Sequence, residues 1–118
     1  MLCLFLPFDI LPYSSVLQNT GIDYNVGMAN RSYRKIERIV KGYANHRRLE
    51  ILDLLHKEPE LSVEDISEKL KIGYQNASDH IRRLAIAGLV AKRNEGPSVR
   101  HKLTPRAESI LVFCKTLE

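Results

Sequence analysis

The sequence has no tryptophan, two cysteines and few aromatic residues. Cys3 and Cys114 stand near opposite ends of the 118 residues, with no spacing that suggests a disulfide framework or a zinc site, so a stapled mini-scaffold is excluded. No apolar run approaches the roughly 20 residues that a membrane-spanning helix needs. No lysine or arginine precedes Arg31, so the start lacks the basic segment of a secretory leader. A glycine-rich phosphate loop, a Ser/His/Asp set and a paired-carboxylate constellation are also missing, which argues against an enzyme. His46, His56, His80 and His101 form no ligand spacing, so neither a metal nor another cofactor is expected. A reducing, cytoplasmic setting suits this cysteine usage.

What is present is one domain's worth of chain with an uneven charge. All 18 Lys and Arg lie at or beyond Arg31, and from Lys69 to Arg106 there are nine of them against Asp79 and Glu95. Positive charge gathered in one segment points to a polyanion, most simply nucleic acid, although a solvated basic face would show the same count. Residues 1–27 differ in composition: Leu2–Leu6 is apolar, Pro7 and Pro12 interrupt it, and Ser14–Gly27 is polar without periodicity. Residues 1–30 are therefore expected to form a loosely ordered extension ahead of a domain over 31–118, with Met28 as an alternative start.

Within the body, Tyr33, Ile36, Ile39 and Val40 recur at helical spacing, predicting a helix over 32–42 that Gly42 stops. Asn45 is an N-cap for a second helix from His46 to about Lys57, closed by Pro59. Ser62 with Asp65 three residues on is a capping box for a short third helix ending at Leu70. A tight connection, Lys71-Ile72-Gly73, leads to a fourth helix from Tyr74 to about Ala87.

On a wheel turning about 100° per residue, Ile81 and Leu84 fall within about 40° of Ala77, and Gln75, Arg82 and Asp79 face the opposite way. Ser78, Asn76 and Arg83 flank them. This exposed face carries short or planar hydrogen-bonding side chains and arginines, where a solvated helix usually carries Glu and Lys. Leu89–Arg93 and Ser98–Leu103 read as two strands joined by Asn94-Glu95-Gly96-Pro97. Thr104-Pro105 opens a last helix over 105–117, with Ala107, Ile110, Leu111, Cys114 and Leu117 on one side. The fold class is thus mainly α with a small β-hairpin.

That order resembles a winged helix-turn-helix with flanking N- and C-terminal helices. At residue level, Ala44–Leu55, Ile66–Leu70, Ala77–Leu84 and Ala87-Gly88-Leu89-Val90 are similar to the arsenic-repressor-type (ArsR-like) family of transcription regulators. Glu95-Gly96 and Lys102-Leu103-Thr104 match its wing and wing exit. The resemblance covers about Tyr33 to Leu117 and implies a regulator, expected to be a repressor, that binds double-stranded DNA as a homodimer. Metal-sensing members carry Cys-x-Cys where this chain has Leu61–Asp65, and other members use Asp and His on the last helix, which residues 105–118 lack. Asp79 stands where the family often has a basic or neutral residue; it can accept from a cytosine amino group or pair with Arg82 or Arg83.

The resemblance implies that Gln75, Asn76 and Arg82 read base edges, and that Tyr74, Ser78 and Arg83 meet phosphates or a thymine methyl. Arg93, Arg100 and Lys102 would neutralise flanking phosphates. The 61 residues from Ala44 to Thr104 make a small core, and the apolar seams of the outer helices exceed what it can cover. Tyr33, Ile36, Ile39, Val40, Ile110, Leu111, Cys114 and Leu117 are therefore candidates for a dimer interface, with a self-packed monomer as the alternative. A winged-helix module that binds protein or RNA is the competing function. Cys114 otherwise reads as a plain apolar residue.

Overall fold

The computed structural model describes residues 32–118. The expected extension over 1–30 lies outside the described residues. Among the described residues, five helices and one hairpin follow in order: α1 (Tyr33–Tyr43), α2 (His46–Lys57), α3 (Val63–Leu70), α4 (Tyr74–Ile86), β1 (Val90–Glu95), β2 (Ser98–Leu103) and α5 (Pro105–Lys115). This is the winged helix-turn-helix architecture, mainly α with one small hairpin.

Local chemistry sets the helix starts. The Asn45 side chain accepts from the amides of Arg47 and Arg48, at 3.0 and 3.3 Å. Ser62 Oγ accepts from the Asp65 amide at 3.2 Å, and Asp65 Oδ2 accepts from the Ser62 amide at 3.1 Å, completing the capping box. Such caps stabilise a helix by about 1 kcal/mol each, which matters for an α3 of eight residues. Thr104 Oγ1 accepts from the Ala107 amide and donates to the Gly88 carbonyl, so one hydroxyl opens α5 and binds the exit of α4. Arg106 donates to the neighbouring Ala87 carbonyl at 3.0 Å.

The core lies where α2, α3 and α4 meet. Ile51, Leu52, Ile66, Ala77 and Leu84 are fully buried, and Leu89 just before the hairpin, Leu103 of β2 and Ala107 of α5 seal it. β1 and β2 pair antiparallel from Val90↔Leu103 to Glu95↔Ser98. Leu61 adds a one-residue bridge to His101, with the His101 amide donating to the Leu61 carbonyl at 3.0 Å. Among the described residues no helix is long and apolar enough to cross a membrane.

Several boundaries differ from expectation. Gly42 does not stop α1 but lies inside it, one residue before its end. Its absent side chain serves packing: a Cβ there would overlap the Cβ of Ala87. β1 starts at Val90 and runs two residues beyond Arg93, because Glu95 still pairs with Ser98 and the turn shrinks to Gly96-Pro97, Gly96 taking φ +59°. α4 ends at Ile86, one residue earlier than expected, and α5 ends at Lys115, leaving Leu117 beyond the helix.

Candidate nucleic-acid interface

α3, the Lys71–Gly73 connection and α4 form the helix-turn-helix. Lys71 takes the left-handed conformation (φ +55°) that turns the chain, and Ser67 Oγ donates to the Ile72 carbonyl at 2.6 Å, fixing the connection from inside. Gly73, at the N-cap of α4, offers no side-chain acceptor, so the first-turn amides keep donors free for an external anion.

The apolar seam of α4 decides what it shows. With Ala77, Ile81 and Leu84 buried, Tyr74, Gln75, Asn76 and Arg82 are exposed, and Ser78 and Asp79 are half-buried. Asp79 sits between two of the expected base readers. Gln75 Nε2 donates to its Oδ1 at 3.4 Å, and the Arg82 guanidinium stands 3.7 Å from the same oxygen. Exposed pairs of this kind add little stability; the contacts place Gln75, Asp79 and Arg82 on one helix face. Of the two pairings open to Asp79, the structure forms the one with Arg82.

The hairpin gathers the second set. In its register Arg93 faces Arg100, and Lys102 follows Arg100 on the same side, so all three expected phosphate contacts share one face. Two arginines directly opposite would repel. Carboxylates separate them: Arg93 bonds Glu60 at 2.9 Å and lies 3.6 Å from Glu95, while Arg100 bonds Glu95 at 3.0 Å and lies 3.5 Å from Asp65. The Glu60 hydrogen bond and charge hold the Arg93 guanidinium above its ordinary pKa. Asp65 is held below the usual carboxylate range, first by its hydrogen bonds from Ser62 and then by the charges of Arg100 and Lys69. Lys92 and Lys102 form no ion pair among the described residues and are exposed.

Glu60, Asp65 and Glu95 therefore belong to this candidate surface, although sequence reasoning gave them no part in its charge pairing. Glu60 and Asp65, with Glu58 beside Lys69 at 2.9 Å, precede the basic segment and fold back against it. A count along the chain could not register that. Arg83, the other expected backbone contact of α4, is exposed beside Arg82. It lines a cleft of about 390 Å³ with Arg38, Lys41 and Arg48.

The expected interface residues fall into two groups. Tyr33, Ile36, Val40 and Leu117 are exposed, whereas Ile39, Ile110 and Leu111 pack partly against the core and Cys114 is half-buried. Exposed Val112 and Phe113 join the first group and were missed, because the seam of α5 was drawn through Ala107 and Cys114. Among the described residues no three His, Cys, Asp or Glu side chains gather as metal ligands would.

Comparison with known proteins agrees with this geometry. A family model described as a helix-turn-helix domain matches residues 43–93. The transcriptional activator HlyU of Vibrio cholerae is 33% identical over 84 residues, covering 71% of this chain and 77% of that protein. A solved V. cholerae HlyU structure superposes with a TM-score of 0.65 at 30% identity, over 75% of this chain and 96% of that one. A Mycobacterium bovis domain, described as a homodimeric winged helix-turn-helix DNA-binding domain and a possible ArsR-family transcriptional regulator, superposes with a TM-score of 0.67 at 27% identity. It covers 81% of this chain and 85% of that domain.

Proposed function

This chain belongs to the ArsR-like family of winged helix-turn-helix, DNA-binding transcription regulators, and from that premise we propose that it reads a specific duplex sequence as a homodimer and represses transcription by occupying it. The observation that carries the reading is the exposed polar face of α4, where Asp79 holds Gln75 beside Arg82. In a major groove, Gln75 and Asn76 bond adenine edges and Arg82 forks onto guanine, while Tyr74 and Ser78 meet the flanking backbone. Lys102, Arg93 and Arg100 lie along the adjacent phosphates, releasing counterions as they do so.

The second copy is supported by the outer helices. α1 carries no buried residue and touches the body sparsely, yet Tyr33 is 63%, Ile36 37% and Val40 41% exposed. On α5 and just past it, Val112, Phe113 and Leu117 are 65%, 52% and 68% exposed. Apolar surface of this extent on two helices marks an interaction site. Pairing across a twofold axis buries it and sets two copies of α4 about one DNA turn apart. A surface for DNA and a surface for itself support occupancy of a duplex site, which blocks transcription where that site overlaps a promoter.

Selection of bound fragments from random duplex DNA tests the reading. Expected are two half-sites in inverted order, about 10 base pairs apart centre to centre, and a dimer in sedimentation at micromolar concentration. Arg82→Ala costs about 1–3 kcal/mol on the selected site and less on random DNA. No enriched sequence, or equal loss on both DNAs, would refute base reading by α4. A reporter beside the selected site rises when the chain is removed; a fall instead would assign activation.

A further inference from the structure

We propose that the cleft between the end of α1 and the end of α4 binds a small organic polyanion, a molecule bearing phosphate or clustered carboxylates. The cleft holds about 390 Å³ and is lined by Arg38 and Lys41 of α1, Arg48 of α2, Arg83 of α4, and Gly42, Ile86 and Ala87. Its volume falls in the range of small-molecule sites, about 300–1,000 Å³. Among the described residues no carboxylate lines it.

These cations differ from those of the hairpin, where each arginine has its carboxylate. Lys41 is paired with Glu37 one turn back on α1. Arg38, Arg48 and Arg83 make no ion pair among the described residues. Arg48 is fastened by two bonds from Nη1, to the Lys41 carbonyl at 3.0 Å and the Gly42 carbonyl at 2.7 Å. That leaves its Nε buried with no acceptor, and the Nδ1 of His80 is buried with no hydrogen-bond partner. Burial, then the charges of Arg48 and Arg83, hold His80 below its ordinary pKa, which places the imidazole within the field of both guanidiniums. A group of like charges beside an unsatisfied donor is stabilised by an anion from outside. Ile86, 79% exposed at the rim, and the floor of Gly42 and Ala87 give an organic body something apolar to lie on.

The cleft adjoins the DNA face without lying on it: Arg83 follows Arg82 on α4, turned about 100° round the helix, and the other three cations come from α1 and α2. Arg38 and Lys41 lie on the helix that carries Tyr33, Ile36 and Val40. An anion joining Arg38 to Arg83 would tie α1 to α4 and thereby fix the angle between the proposed dimer seam and the reading helix. The binding stands independently of the DNA reading; its effect on DNA affinity rests on that reading.

The test uses the full chain without DNA, following arginine Nε–Hε and backbone amide signals by NMR at constant ionic strength. Inorganic pyrophosphate and citrate are the probes, with chloride as the control. Expected are saturable shifts of the Arg48 and Arg83 side chains and of the Gly42 and Ala87 amides, with a Kd of about 1 mM or tighter, and no shift at Arg82. The tighter probe identifies phosphate or carboxylate as the preferred group. Arg83→Gln weakens binding about tenfold, and so does Arg38→Gln, on an exposed helix position where folding is not at stake. Shifts that fail to saturate, shifts spread equally over Arg82, Arg93 and Arg100, or unchanged binding by both variants would overturn the proposal. So would shifts produced by duplex DNA and by neither probe. A chain that binds pyrophosphate here and no duplex at all upholds the cleft and defeats the DNA reading.

Discussion

Gly42→Ala puts the seating of α1 on the body to a quantitative test. A methyl at position 42 meets the Cβ of Ala87, a carbon fixed to backbone rather than the far end of a flexible chain. The two carbons would stand about an ångström inside ordinary contact at about 3.5–4.0 Å. Relief requires α1 to lift or the Ala87 turn to move, at the roughly 1–3 kcal/mol typical of overpacking. Against this, replacing a helical glycine by alanine gains about 1 kcal/mol where there is room. The variant should therefore lose up to about 2 kcal/mol net. For a folded body of this size each kcal/mol shifts Tm by about 4–8 °C. Thermal and urea unfolding at one fixed protomer concentration measures it, since pairing of copies would otherwise contribute. Ala87→Gly removes the opposing methyl, so the double variant should recover most of the clash. A Gly42→Ala protein that is more stable than its parent, with a double variant additive within about 0.5 kcal/mol, would show that no close approach exists.

Three further outcomes follow from the same structure. Glu95→Gln leaves Arg93 and Arg100 with one carboxylate fewer, so affinity for random duplex DNA should rise and the salt slope steepen by up to about 1; an unchanged slope would show that Glu95 does not compete with phosphate. Ser62→Ala should cost about 1 kcal/mol in urea unfolding and return Asp65 toward its ordinary pKa, whereas a neutral result would remove the capping box as the anchor of α3. His101 is 1% exposed and its Nδ1–H donates to the Leu61 carbonyl, which can only accept, at 2.8 Å. Burial holds it below the ordinary 6.5, with Lys92 lowering it further and the Leu61 bond and Glu64 acting against. The unfolded chain thus binds the proton first: stability is full above about pH 6.5 and falls as pH drops toward the folded pKa. Urea midpoints between about pH 7.5 and 5 should show that fall, and His101→Gln should lessen it, with buried His80 supplying the remainder; a parent profile flat across this window would refute the reasoning.

Helices and caps were legible because their determinants are local: Asn45, Ser62 with Asp65, and Thr104-Pro105 each act within three residues of themselves. The exposed face of α4 was legible from the wheel, since Ala77, Ile81 and Leu84 leave one side to pack. What escaped depends on residues distant in sequence. Gly42 looked like a helix stop because nothing in Lys41-Gly42-Tyr43 announces Ala87. The charge of the basic segment was overstated because Glu58, Glu60 and Asp65 return to it only once α3 is folded. Leu61 gave no sign of bridging to His101, forty residues away. Nothing near Arg83 in sequence announces that Arg38, Lys41 and Arg48 share a cleft with it.

The bridge at Leu61 has a mechanical consequence. One peptide on each side and one imidazole bolt the stem of the hairpin to the residue just before the α3 cap, so the basic ribbon cannot swing without dragging the helix-turn-helix along. A duplex would meet one stiff tool with two working edges, and the first edge to touch would already have aligned the other.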